Sequence, residues 1–226
     1  MKPGILTFLS VLGSFLLIVT GCSKSDTPPP PVTDADGNSY KTVRIGEQTW
    51  MAENLKTAKF SDGTDISIIS DPAGWSTLET PGFCLYNNYG DSIKKIYGAL
   101  YNFNAAGSGK LCPAGWHVPS VDDWQKLREF SADTLTSGGG LKEEGIVHWK
   151  APNTGAVNNT GFTALPAGIR YFEGSFNSLS YFTSFWSSTE YDTSKGWYMS
   201  LYYGDAASPL NTASRKDGFS VRCIKD

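Results

Sequence analysis

Two histidines and four cysteines in 226 residues leave little material for a metal centre. Zinc sites draw on closely spaced cysteine and histidine, whereas Cys22, Cys84, Cys112 and Cys223 lie far apart. Charge is scarce as well: 18% of residues are ionic, with 19 Lys and Arg against 22 Asp and Glu. Basic residues are scattered and adjoin one another only in isolated pairs, Lys94-Lys95 and Arg215-Lys216. That excludes nucleic acid as a partner, because counterion displacement needs a concentrated positive surface. No G-x-S-x-G nucleophile elbow is present. Ala106-Gly-Ser-Gly-Lys110 comes nearest to a phosphate loop, but Leu111 stands where Ser or Thr is required and the spacing fails. The apolar run from Ile5 to Thr20 is shorter and more interrupted than the about 20 residues of a membrane span. Nothing in this inventory calls for a cofactor.

What is abundant is glycine (24), proline (12) and aromatic side chain (13%), which together suggest short strands and tight turns rather than a helical bundle. The front end has Met1-Lys2, the apolar run, and then small residues, the pattern of a secretory signal. Val19-Thr20-Gly21-Cys22 resembles the lipobox of bacterial lipoproteins. That resemblance implies a signal peptide over 1–21, acylation of Cys22, and a lipid bilayer as partner. Ser23 after the cysteine favours the outer membrane or cell surface of a bacterium. Residues 22–33 carry Pro28 to Pro31 and read as an extended polyproline spacer, leaving a domain over 34–226.

Outside the cytoplasm thiols pair, and the three remaining cysteines allow three single pairings. Cys112 with Cys223 is favoured, because Cys112 opens a turn-rich segment and Cys223 sits in what reads as the last strand. Closing a loop that long is worth about 4–5 kcal/mol in the chain-entropy model. Cys84 is then a buried thiol. Asp34-Ala-Asp-Gly-Asn38 begins like a calcium loop, but Ser39 and Ile45 occupy positions that need Gly and Glu, so it reads as a turn feeding a strand. Gly46-Glu47 makes a second turn before Gln48 to Met51. Ser120, followed by Asp122 and Asp123, caps the main helix, with Trp124, Leu127 and Leu135 near one face. Gly138-Gly139-Gly140 should end that region, and a short helical turn is expected around Leu141 to Glu144. Strands are expected over Phe162–Leu165, Phe185–Tyr191, Gly196–Tyr203 and Phe219–Ile224. In the third of these, Trp197, Met199 and Leu201 alternate with Tyr198, Ser200 and Tyr202.

Several phrases then fall in one order: Asp36-Gly-Asn-Ser-Tyr40, Gln48-Thr-Trp-Met-Ala-Glu-Asn-Leu55, Tyr97-Gly-Ala-Leu-Tyr-Asn102 and Leu111-Cys-Pro-Ala-Gly-Trp-His-Val-Pro-Ser120. Gly161-Phe-Thr-Ala-Leu-Pro166, Trp186-Ser-Ser-Thr-Glu190 and Gly218-Phe-Ser-Val-Arg-Cys223 complete the set. Together they resemble the Fibrobacter succinogenes major paralogous domain family, over roughly residue 34 to the end. The resemblance implies an α+β, C-type-lectin-like fold related to formylglycine-generating enzymes: a twisted antiparallel sheet with one main and one short helix.

The oxidase branch of that fold uses two cysteines close together late in the chain, and here only Cys223 follows Cys112, so oxidase activity is the lesser reading. His117 and His148 read as hydrogen-bonded packing residues. The calcium-dependent lectin pattern is not carried over either, since Ala151-Pro-Asn153 and Trp186-Ser-Ser188 lack two of its ligands. Asn153, Asn158 and Asn159 read as turn residues more than as a structural calcium site. The final third, by contrast, gathers Tyr171, Phe172, Tyr181, Tyr191, Tyr198, Tyr202 and Tyr203 with Glu173, Asp192, Asp205 and Arg215. Rings with a polar tip beside carboxylates suit stacking on a sugar or on a protein surface. The ligand-binding set is therefore Tyr191, Asp192, Tyr198, Tyr202, Asp205 and Arg215, in a non-catalytic recognition module. A structural envelope component is the alternative.

Overall fold

The computed structural model describes Met1, residues 28–131 and residues 136–226 of the chain. The leader, the expected acylation site Cys22, Ser23 and Leu135 lie outside the described residues. The end of the proline-rich stretch already rests on the domain, because Thr42 Oγ1 is 3.0 Å from the carbonyls of both Pro29 and Pro30. β1 (Val32–Thr33) pairs with β2 (Ser39–Tyr40) across the Asp34 turn. The Asp34 carboxylate accepts the amides of Asp36 and Asn38 and the Tyr40 hydroxyl, so its oxygens are engaged by the turn itself. β3 (Thr42–Ile45) and β4 (Gln48–Met51) form the expected hairpin about Gly46, whose φ of +60° suits glycine.

A run of short elements follows: β5 (Ser67–Ile68), α1 (Pro72–Ser76), β6 (Gly82–Cys84), α2 (Asp91–Tyr97), β7 (Leu100–Tyr101), α3 (Phe103–Ala106) and β8 (Trp116–His117). Local polar residues start the first and third of these helices: Asp71 accepts from the Gly74 amide at 2.7 Å, and Asn102 from the Ala105 amide at 3.0 Å. The main helix, α4 (Val121–Ser131), starts where the sequence indicates. Ser120 Oγ accepts from the Asp123 amide, and the Asp123 carboxylate accepts in return from the Ser120 amide at 2.9 Å. Trp124 and Leu127 are fully buried on its inner face.

The second half holds α5 (Ser137–Leu141), β9 (Ala167–Arg170), β10 (Phe176–Leu179), β11 (Phe182–Glu190), β12 (Lys195–Tyr202), β13 (Leu210–Ser214) and β14 (Ile224–Lys225). A five-stranded sheet has the order β10-β9-β11-β12-β13, antiparallel throughout except for the parallel step from β9 to β11. β3, β4, β14 and β8 make a second sheet, and β5, β6 and β7 a third. On β12, Met199 and Leu201 pack with Trp50, Trp124, Phe162 and Phe185, while Tyr198 on the other face packs on Trp186 and Phe219. Trp197 is only half-buried and meets Tyr191 edge-on. The architecture is mixed α and β, dominated by sheet.

Five expectations need correction. The described residues hold five α-helices, not one main and one short, because short loop segments also close a turn or two, α1 and α3 with their own capping side chains. The twisted sheet is likewise divided into separate small sheets. Gly138 to Gly140 do not end a helix but form most of α5, which begins at Ser137, four residues before the turn expected at Leu141 to Glu144. Glycine is required there by close approach: a Cβ on Gly138 would lie 2.2 Å from the Ala207 carbonyl oxygen, and one on Gly139 2.2 Å from that of Gly155. Phe162–Leu165 is not a strand. Thr163 has φ of +55°, the Phe162 and Thr163 carbonyls turn to Arg222, and Ala164 alone bridges, to Lys142. Phe219–Ile224 is similarly held by single bridges at Phe219 and Ser220 until β14 begins.

So much irregular chain packed inward presents buried carbonyls without ladder partners. Three buried cations supply donors. Arg222 reaches Asn54 Oδ1 at 2.9 Å, the Thr163 carbonyl at 2.9 Å and the Phe162 carbonyl, with its guanidinium 4.2 Å from the Phe162 ring centroid. Arg170 donates to the carbonyls of Ile69, Ser70 and Gly174 and lies 4.5 Å from the Trp75 ring. Lys142 Nζ, its side chain fully buried, donates to the carbonyls of Thr154, Tyr202 and Asp205 at 2.7–3.0 Å. Burial lowers the pKa of Arg222 and brings Lys142 down to about 8, so both still carry charge at pH 7. A disulfide joins Cys112 to Cys223 across 111 residues, the pairing favoured from the sequence, and Cys84 is free and buried.

Replacing Arg222 with Met removes the donors but leaves three oxygens buried, at a cost of about 1–3 kcal/mol for each one orphaned. Urea unfolding should therefore show Arg222→Met less stable by about 3–5 kcal/mol; a loss under about 1 kcal/mol would mean these carbonyls are satisfied otherwise.

Candidate functional site

The face of the five-stranded sheet that carries Tyr198 and Tyr202 opens into a cleft of about 470 Å³. Strand register builds it. Tyr202 pairs with Phe182, Ser200 with Ser184 and Tyr198 with Trp186, so the alternate residues of β11 and β12 point the same way. Ile169 from β9, Ser178 from β10, and Thr212 and Ala213 from β13 line its sides. Tyr171, in the turn after β9, is 37% exposed, and Tyr202 is 41% exposed, so these rings stand where a ligand can reach them. Ser178 holds φ of +68°, which non-glycine residues seldom adopt outside functional or turn positions.

The wall opposite the strands is the segment after β13, where Asp217 and Phe219 line the cleft. Asp217 is 8% exposed and its Oδ1 is buried without a hydrogen-bond partner. Ser184, fully buried in the same lining, also has an unpartnered hydroxyl oxygen. Burial raises the Asp217 carboxyl to about 6, with the nearby Phe172 and Ser214 amides pulling down and Glu173 adding a weak push upward. Buried polar atoms are nearly always paired, so two unpaired ones lining a single aromatic cleft are the strongest chemical signal in the described residues.

Of the six ligand-binding residues read from the sequence, Tyr198 and Tyr202 line this cleft. Asp192 is spent on the hairpin between β11 and β12, where its carboxylate accepts the Ser194 and Lys195 amides at 2.7 and 2.9 Å. Tyr191 sits at the same tip, with its ring 5.5 Å from that of Trp197. Arg215 is ion-paired with Glu190, donates to Asn104 Oδ1 and stacks on Phe103, in a separate polar hollow with Glu79 and Lys216. Asp205 shapes its own loop, accepting the Ala207 amide at 3.0 Å, while its carbonyl holds Lys142. Asp217, Ser184, Phe182 and Phe219 were missed. Asp217 lies in Arg-Lys-Asp-Gly, where an aspartate before glycine reads as a turn former. The parity that places Tyr198 and Tyr202 together would have found Phe182 and Ser184, had the register been known.

The remaining chemistry-bearing groups are engaged structurally. His117 Nδ1 is 2.6 Å from Asp226 and its Nε2 3.3 Å from Asp123. The Ser120 hydroxyl donates to Asp123, so a carboxylate and not the imidazole stands on that hydroxyl. His148 Nδ1 is 2.9 Å from the Glu143 carboxylate and its ring meets Tyr97 edge-on. Burial pushes the Cys84 thiol up to about 12, which keeps it from being a thiolate nucleophile. Asn153 donates to the carbonyls of Glu143 and Gly145, and Asn158 clasps Thr163 through both its amide atoms. No group of three or more metal-ligating side chains occurs among the described residues.

With the fold and the cleft in view, the class is that of a small mixed α and β domain with an aromatic cleft on one sheet. The chain belongs to the Fibrobacter succinogenes major domain family, whose model matches residues 43–225. No curated protein and no solved structure matches the chain.

Asp217 has a stability signature. A carboxyl whose folded pKa exceeds its unfolded value binds a proton more tightly when folded, so its contribution to stability falls as pH rises from about 4 to about 6. Asp217→Asn should therefore be more stable than the parent chain, by a margin that grows over that window and levels off near roughly 2–3 kcal/mol above it. Parallel melting curves from pH 4 to 8 measure this; a margin that shrinks with rising pH would contradict it.

Proposed function

We propose that this chain is a bacterial lipoprotein whose domain is a non-catalytic recognition module, held at the outer membrane or cell surface by acylated Cys22. The observation that carries the recognition role is the cleft on the five-stranded sheet. Its exposed Tyr171 and Tyr202, half-buried Tyr198 and unpaired Asp217 and Ser184 oxygens offer ring faces for stacking and acceptors for donors. A sugar, or an exposed side chain of a protein, meets both demands. A C-type-lectin-like architecture is part of the reading. It draws support from α4 starting after Pro119-Ser120 and from late antiparallel strands followed by Gly218-Phe-Ser-Val-Arg222. Thiol oxidation is set aside because the oxidase branch of that fold uses two cysteines close together late in the chain, whereas Cys223 alone follows Cys112, to which it is bonded across 111 residues, and Cys84 is free and buried.

Two measurements test the two halves. A glycan array probed with the purified chain should give saturable binding that Tyr198→Ala or Tyr202→Ala weakens by about tenfold or more, the scale of an aromatic anchor. Binding that neither change affects would remove the cleft from the proposal. Mass spectrometry of the protein extracted from bacterial membranes should find an amino-terminal Cys22 carrying fatty acyl chains. An unmodified terminus, or a leader still in place, would end the anchoring half.

A further inference from the structure

The reading of the cleft as a binding site leaves open what kind of ligand it prefers, and its lining is specific on this point. Aromatic surface alone would suit any sugar or apolar group. The same lining, however, includes the carboxylate of Asp217, which makes no ion pair among the described residues. Arg215 and Lys216, adjacent in sequence, turn away to Glu190 and Glu79. Arg170, whose amide and carbonyl bridge to Gly218, sends its guanidinium to the carbonyls of Ile69, Ser70 and Gly174. The fold thus places three cations close in sequence or strand pairing to Asp217 and commits each of them elsewhere. A buried carboxylate without a counter-charge is costly even with the Phe172 and Ser214 amides beside it, and a ligand that brings the missing positive charge recovers that cost on binding.

The surrounding groups narrow the ligand further. Tyr171, Tyr198, Tyr202, Phe182 and Phe219 present ring faces and edges around the cleft. Such faces attract a cation as well as the C–H face of a sugar ring. Ser178, Ser184 and Thr212 add hydroxyls that can both donate and accept, which suits a polyhydroxylated ligand better than a bare alkyl chain. A volume of about 470 Å³ is within the range of small-molecule sites and leaves room for more than one sugar ring. We propose that the cleft is selective for amino sugars with a free, protonated amine, the ammonium seated against Asp217 and the sugar ring against the tyrosines. At pH 7 the Asp217 carboxyl, though raised to about 6, is mostly ionised, so the charge needed for this pairing is present.

This inference rests on the recognition reading, and one set of titrations separates the two. Isothermal titration calorimetry at pH 7 compares the full purified chain with its Asp217→Asn and Tyr198→Ala variants. The probes are three disaccharides of similar shape: a glucosamine dimer, its N-acetylated counterpart and the neutral glucose dimer. The glucosamine dimer should bind the parent chain about tenfold or more tightly than the other two, as a desolvated charge pair warrants. Asp217→Asn should erase that preference while retaining weak binding of all three, and Tyr198→Ala should weaken all three alike. Equal affinities for the three probes, with Tyr198→Ala still harmful, overturn the amine selectivity and leave the cleft as a sugar site. Tighter binding of the N-acetylated dimer, or a preference that survives Asp217→Asn, overturns it too. If none of the sugars binds while N-acetyl-lysine-methylamide does, the amino-sugar assignment falls in favour of a protein side chain. Silence from all four probes overturns this inference and the recognition role of the cleft together.

Discussion

Buried carbonyl oxygens are the constraint that governs this fold. Much of the described chain runs between short strands and short helices, and much of that irregular backbone is inside. A loop inside a protein must find hydrogen-bond donors for its carbonyls or forfeit several kcal/mol. Arg170, Arg222 and Lys142 are the donors, each buried, each turned to three oxygens and each set against an aromatic ring. They use backbone and amide oxygens in place of carboxylates. The positive charge is thus shared over several carbonyl dipoles, and the same side chain staples together segments far apart in sequence. Arg222 ties residues near 54 and 162 to the last strand; Arg170 ties residues 69–70 to the β9–β10 turn.

The cleft inherits its rim from those staples. Arg170 holds the carbonyl of Gly174 and so fixes the turn that carries Tyr171 and Phe172. Lys142 holds the carbonyls of Tyr202 and Asp205 at the other end of β12. Between them, the segment Arg215 to Gly218 is fastened by the backbone pair between Gly218 and Arg170. The resulting arrangement is preorganised in the sense that matters for binding, since little further loop ordering is needed when a ligand arrives. Asp217 Oδ1 and the Ser184 hydroxyl, both in the cleft lining, are among the few buried side-chain atoms left without a partner. A buried carboxyl oxygen without a partner costs stability, and a fold that satisfies the surrounding carbonyls yet leaves Asp217 Oδ1 alone has the pattern expected of a site in which function takes precedence over stability.

What could be read from the sequence follows from how local each signal is. The Asp34 turn, the hairpin about Gly46 and the Ser120 cap are decided by residues within three or four positions of one another, and they stand where the sequence indicates. The Cys112–Cys223 pairing was also legible, because only three pairings were possible. Long-range effects were not. Phe162–Leu165 has the composition of a strand, but Arg222, about sixty residues later, takes its carbonyls and the chain bends accordingly. Gly138 to Gly140 look like a helix stop; contact with the backbone near Ala207 and Gly155 makes them a helix instead. Tyr198 and Tyr202 were found through the clustering of aromatic residues in the final third, and the strand period places them on one face. Asp192, Arg215 and Asp205, chosen by nearness in sequence to aromatic residues, are engaged by their own hairpin, an ion pair and a loop. Asp217 escaped notice because its burial is created by strands that the sequence does not place next to it.

Residue-resolved amide hydrogen exchange at neutral pH addresses most directly whether the buried cations hold the rim of the cleft rigid. The amides of Tyr171, Gly174, Tyr203 and Gly218 are all hydrogen-bonded to backbone carbonyls in the rim segments. If the staples work as described, these amides exchange about as slowly as those in the centres of β11 and β12, opening only when the whole domain unfolds. Exchange there faster by several orders of magnitude, with the strand amides still protected, would show a loosely held rim and contradict the preformed cleft.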